Sequence, residues 1–225
     1  ALFALAGLAP LAPFAPAPAR AAEEGPPAAA VSKAIDAGVQ WLKAQFRDGI
    51  ADTSFHDAGE LVILTLSHGG VNLTDPVYAA GIKALETIEP RFTYRTALLA
   101  MALSEANPRL YRRKIAHCAQ WLVDTQLKEG EWGYPGPERG ADRPAEGLRI
   151  APPAEPEPAV GAKPAAKAAD RLVITRQTPV YDGPGQKGDF SNTQFAILGL
   201  RACRDAGVDV PADTWKNALA YLRKY

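Results

Sequence analysis

The chain has 225 residues, 47% of them hydrophobic and 22% charged, and its acidic and basic side chains balance to no formal net charge. With no field of one sign and no basic stripe, the composition argues against nucleic acid or an anionic membrane surface as a partner. The length suffices for one sizeable core or two small ones.

Residues 1–21, ALFALAGLAPLAPFAPAPARA, have no Met and no basic start, and they read as the apolar part of a signal peptide. Ala19-Arg20-Ala21 is an A-x-A site, so cleavage is expected near Ala21, with export to the periplasm or the exterior. The alternative is a Pro/Ala-rich tail. A membrane-spanning helix is not expected, because prolines interrupt a run that is already short. Residues 22–31 read as a linker.

Helical patterns follow in order. Residues 32–46 put Ile35, Val39 and Leu42 on one face. Residues 57–70 open with Asp57 as N-cap and Glu60 as its reciprocal partner, and stop at Gly69-Gly70. Residues 75–90 open with Asp75 as cap and Pro76 at the first helical position. Residues 93–108 end at Asn107-Pro108, and 109–127 are amphipathic with a basic start. Residues 191–207 carry Ser191 and Gln194 in capping-box spacing, and 211–225 are again amphipathic.

Two helix types alternate. Those at 32–46, 75–88, 109–127 and 211–225 have a polar face, whereas LVILTL, ALLAMAL and FAILGL are apolar nearly all round. An all-round apolar helix needs cover on both sides, so the expected fold is all-α, with apolar helices inside and amphipathic ones outside. Trp41, Ala84 and Trp121 recur at intervals of about 40 residues, the mark of a repeated helical hairpin. The next step, to Tyr221, is lengthened by a segment at 135–188 rich in Pro, Ala, Glu and Lys. Most of that segment has no apolar period and is expected to be extended or disordered. Within it, RLVITRQTPVYDG (171–183) is expected to form a short strand or hairpin against the body.

The stretch WLVDTQLKEGEWGY (121–134) carries Trp121-Leu122, then Gln126, Gly130 and Trp132 at the spacing of the QW motif of squalene and oxidosqualene cyclases, which it resembles. WLKAQFRDGI (41–50) is similar to a degenerate copy, with Trp41, Gln45 and Gly49 but no closing Trp. The chain over 32–225, less the insertion, therefore resembles the α/α-toroid superfamily of terpenoid cyclases and protein prenyltransferases. The resemblance implies stacked hairpins in an incomplete ring, a piece of a longer protein. It also implies that Gln126 and Trp132 stitch repeats together rather than react.

The chemistry of the resembled enzymes is not spelled out. No Asp-x-Asp-Asp string occurs, and Asp189-Phe190-Ser191 puts a serine where prenyltransferases carry a zinc-binding cysteine. Cys118, Cys203 and three scattered histidines have no metal-ligand spacing, so neither a metal nor a cofactor is expected. An exported protein could join the two cysteines, but their place on apolar helix faces favours two buried thiols. The polar residues at inner-helix N-termini are His56, Asp57, Tyr94, Arg95, Asp189, Ser191, Asn192 and Gln194. In a toroid they would gather at one mouth of the cavity. Arg95 is the least expected of them: it is read as pairing with Asp57 or Asp189, or as contacting an anionic ligand. The function expected is an exported, non-catalytic scaffold for an apolar or isoprenoid ligand or a protein partner. The alternatives are an enzyme whose catalytic residues lie in further repeats, and an open helical-repeat scaffold for peptides.

Overall fold

The computed structural model of the chain describes residues 26–45, 58–134, 171–178 and 187–224. These residues form helices α1 (Ala28–Gln45), α2 (Gly59–His68), α3 (Pro76–Glu86), α4 (Thr93–Ala106) and α5 (Arg112–Thr125). Strand β1 (Leu172–Val173), helix α6 (Phe190–Asp205), strand β2 (Val208–Asp209) and helix α7 (Ala212–Leu222) follow. The all-α class expected from the periodicity is what the structure has.

Helix α4 is the centre of the packing. It lies against α2 on one side and α6 on the other, with α3 against both α2 and α4, and α5 against both α4 and α6. Ala97, Leu98, Leu99, Ala100, Ala102 and Leu103 of α4 are buried. The sequence reads three helices as apolar all round, but only α4 has that degree of cover. Leu61 of α2 and Phe190 and Leu198 of α6 face outward.

Helices α4 and α6 approach closely at Gly199 of α6. A Cβ there would sit 2.7 Å from Ala97 Cα and 2.8 Å from Ala97 Cβ. Backbone lies against backbone, so the two helices must separate to admit a methyl group. Gly199→Ala is therefore expected to destabilise by about 1–3 kcal/mol as an overpacked core, despite alanine's better helix propensity. Chemical denaturation of the variant checks this, and a stabilised variant would contradict it.

The helix ends follow from local chemistry. Asp75 is the N-cap of α3, its side chain accepting from the N–H groups of Val77 (3.0 Å) and Tyr78 (3.1 Å), with Pro76 next as expected. Gly70, at φ +85°, ends α2 as the Gly-Gly pair predicts. Helix α5 starts later than the sequence pattern, because the Asn107 side chain accepts from Arg109 N (3.2 Å) and Leu110 N (3.0 Å) and holds them in a turn. Helix α1 starts earlier, at Ala28, so the 22–31 stretch is not all linker: three alanines follow Pro26-Pro27 and favour the helix. It lies on the surface with no buried residue, held by Val39 against Gly69 and by the Lys43–Asp75 ion pair, and Ile35 of its expected apolar face is exposed.

The insertion leaves and returns through a narrow neck. Trp132 and Asp189 form an antiparallel bridge, with Asp189 N donating to Trp132 O at 3.0 Å. Gly133 and Gly188 have no side chain because each would strike the opposite strand, Lys187 O lying 2.6 Å from one Cβ and Glu131 Cγ 1.8 Å from the other. Within the insertion, residues 171–178 are a strap laid on the body. Its β1 pairs in parallel with β2 beyond α6, Leu172 opposite Val208. The expected strand is thus present over Leu172–Val173, while 179–183 lie outside the described residues.

His117 on α5 sets a pH dependence. Burial holds its imidazole below the ordinary value of 6.5, against the pull of Glu89, whose carboxylate is 3.6 Å from Nδ1; Lys114 lowers it further. The folded state therefore takes up this proton less readily than the unfolded chain. The stability is complete above pH 6.5 and declines as pH falls from there through the lowered folded value. His117→Asn is expected to flatten that decline in denaturation curves taken between about pH 7 and 5.

Candidate functional site

The Trp121–Trp132 stretch is a joint. Helix α5 ends at Thr125, and Gln126 at its C-cap turns the chain out in extended conformation. A tight loop follows, Leu127 N donating to Glu131 O at 2.9 Å and Gly130 N to Leu127 O at 3.0 Å. Gly130 adopts φ +95°, and a Cβ on it would lie 2.0 Å from Asn217 O of α7, so glycine is demanded twice over.

Gln126 is 0% exposed. Its amide nitrogen donates to Gly130 O (3.0 Å) and to Thr214 O (2.9 Å) in the first turn of α7, and its Oε1 accepts from Arg176 Nη2 (3.0 Å) of the strap. Trp132, also buried, donates Nε1–H to Leu122 O at 2.7 Å. Its backbone N–H meets Thr193 Oγ1 of α6 at 3.1 Å. The residues expected to stitch neighbouring hairpins thus join α5, α6 and α7, with a difference in division of labour. The orphan carbonyl at the end of α5 is satisfied by the indole of Trp132, while the amide of Gln126 reaches across to the next helix. The degenerate copy makes no such joint among the described residues: Trp41 is 59% exposed, and Gly49 lies outside them.

Of the expected mouth residues, His56 and Asp57 lie outside the described residues. Tyr94 and Arg95 stand in the first turn of α4. The guanidinium of Arg95 pairs with Glu60 of α2, Nε at 3.0 Å and Nη2 at 2.9 Å from the same Oε1. This corrects one expectation. Glu60 is not a capping partner: it is 0% exposed and turned toward the neighbouring helix, where its other oxygen, Oε2, is buried without a hydrogen-bond partner. Of the two partners expected for Arg95, Asp57 lies outside the described residues, and the ion pair described is with Glu60 rather than Asp189. Asp189 accepts instead from Asn192 N and Asn192 Nδ2, both at 2.7 Å.

Asp189, not Ser191, is therefore the N-cap of α6. The bridge to Trp132 fixes the backbone of Asp189 in the extended form a cap requires, and moves the cap two residues earlier. Ser191 and Gln194 are exposed, while Asn192 is buried. Tyr94 meets Phe195 edge to face, ring centroids 4.4 Å apart. The first turn of α4 is thus tied to the first turn of α2 through Arg95 and Glu60, and to the second turn of α6 through Tyr94 and Phe195.

Sequence reasoning missed Glu60 as a partner of Arg95, although one acid and one base open consecutive apolar helices, which is the signal that finds the pair. It also missed Glu131, buried with Oε2 unpartnered, and the polar residues of α5 that hold the strap. Cys118 and Cys203 are free buried thiols, and burial pushes Cys118 up to about 12. Among the described residues no group of three or more His, Cys, Asp or Glu side chains is placed to hold a metal ion, and no helix is long and apolar enough to cross a membrane. Comparison of the chain with protein-family models, with curated proteins and with solved structures gave no match.

Proposed function

We propose that the chain is part of an α/α-toroid of the squalene-cyclase and prenyltransferase kind, acting as a non-catalytic scaffold that binds an apolar or isoprenoid ligand or a protein partner. The observation that carries this reading is the joint at Gln126. A buried amide bonded to two backbone carbonyls and a guanidinium is fully occupied in holding helices, as the resemblance implies for a QW motif. The polar groups at the inner-helix N-termini are used in the same way: Asp189 caps α6, and Arg95 ties α4 to α2. In this reading the protein is exported after cleavage near Ala21, on the strength of the apolar stretch 1–21.

A second reading, an enzyme, draws on Glu60, whose Oε2 is a buried acceptor with no partner. Incubation of the full chain with squalene or with a prenyl diphosphate, each with and without zinc, separates the two. Binding read by tryptophan fluorescence, with the compound returned unchanged, is the result expected. Turnover, or one zinc bound per chain, would overturn the scaffold reading. Gln126→Ala is expected to lower the melting temperature and leave ligand affinity unchanged, since its removal strips partners from buried carbonyls rather than from a ligand.

A further inference from the structure

The strap at 171–178 is held as a bound peptide is held. Leu172 N donates to Gly207 O at 2.9 Å and Ile174 N to Asp209 O at 3.2 Å, so the strap adds a parallel strand to β2. On the other side, Gln120 Nε2 of α5 donates to Thr175 O at 2.7 Å. Asp124 Oδ1 accepts from Gln177 N (2.7 Å) and from Thr178 N (3.3 Å). These are main-chain groups, which any extended segment presents. Selectivity comes from side chains two apart: Leu172 and Ile174 are buried, while Thr175 and Gln177 face out. Charge fixes the ends. Arg171 pairs with Asp209, and Arg176 reaches Gln126 beside Asp124. Strand addition with alternate side chains in sockets is a general mode of peptide recognition.

We propose that the groove between α5 and the α6–α7 connection is a recognition site for an extended peptide of the pattern Arg-aliphatic-x-aliphatic-x-Arg, presented by a partner protein. The chain's own strap is its resident occupant and must be displaced. The acidic side chains at the two ends of the groove, Asp209 and Asp124, select a basic partner. This inference shares the Arg176–Gln126 contact with the toroid reading but does not need that reading, because β2, Gln120 and Asp124 define the groove whatever the ring; a ligand-free mouth and a working groove, or the reverse, are distinguishable results.

The test uses the full chain carrying Leu172→Ser and Ile174→Ser, which weakens the resident strap and leaves the groove intact. A fluorescently labelled peptide of residues 170–178, DRLVITRQT, is expected to bind this variant saturably in an anisotropy titration, and the unaltered chain at least tenfold more weakly. Adding Asp124→Asn to the variant is expected to weaken the peptide by about tenfold, the scale of lost charge-assisted hydrogen bonds. A scrambled peptide is expected not to bind. A helical, cooperatively melting variant that ignores the peptide, or binds the scrambled one equally, overturns the proposal. Should the double variant fail to fold, the unaltered sequence with protease sites placed within 135–170 and 179–186 answers instead. After cutting, the strap fragment is expected to stay with the body through gel filtration and to exchange with the labelled peptide. Its loss from a body that remains helical and does not take up the peptide overturns the proposal equally.

Discussion

Replacing Trp132 by alanine is expected to cost about 3–5 kcal/mol, the range for truncating a large aromatic in a core. The indole is completely buried where α5, α6 and the neck of the insertion meet, and its N–H is the partner of Leu122 O. Alanine removes the packing and leaves that carbonyl with only the longer bond from the Thr125 hydroxyl, at 3.4 Å. Trp132→Phe separates the two terms, keeping most of the apolar volume while losing the 2.7 Å bond, and is expected to cost less, about 1–2 kcal/mol. Urea denaturation of the two variants measures both. Equal losses would mean that the indole N–H, not the ring, carries the joint.

The second large effect is at the α2–α4 contact. Arg95→Met leaves the Glu60 carboxylate, 1% exposed, without its guanidinium. Breaking one side of a buried pair typically costs about 3–5 kcal/mol, and the lower end is expected here because the Arg95 side chain is 26% exposed and partly screened. The double variant Glu60→Leu, Arg95→Met removes the stranded charge and is expected to recover most of the loss. If it is less stable than Arg95→Met alone, Glu60 has a partner more important than Arg95. The same variants bear on function, since an enzyme acting through Glu60 needs the carboxylate and the scaffold reading does not.

Much of the fold is legible in the sequence because helix ends are local chemistry. Asp75-Pro76, Gly69-Gly70 and Asn107-Pro108 each act within a turn of where they stand, and the structure starts or stops helices there. The error at α6 has a tertiary cause. Ser191 and Asp189 are both good caps, and the choice was made by the bridge from Asp189 to Trp132, a residue far away in sequence. Glu60 was misread for the same reason: a carboxylate one turn into a helix looks like a capping partner until the neighbouring helix brings an arginine. At Gln126 the spacing marks a structural residue, and its bond to Thr214 fits that expectation. Its bond to Arg176 was not legible, because that arginine comes from an insertion with no apolar period to place it.

The joint at Gln126 also bears on the order in which the chain assembles. Glu60 and Arg95 are 35 residues apart, whereas Trp132 reaches Thr193 across 61 and Gln126 reaches Thr214 across 88. The entropy of closing a loop rises with its length and must be met before the contact can repay it. Helices α2 to α5 can therefore collapse first, and α6, the strap and α7 dock onto them late. Interactions absent from the folding transition state act on the rate of unfolding. Gln126 is thus a latch on the finished molecule: its loss is expected to shorten the lifetime of the native state in stopped-flow unfolding while leaving the speed of refolding nearly unchanged.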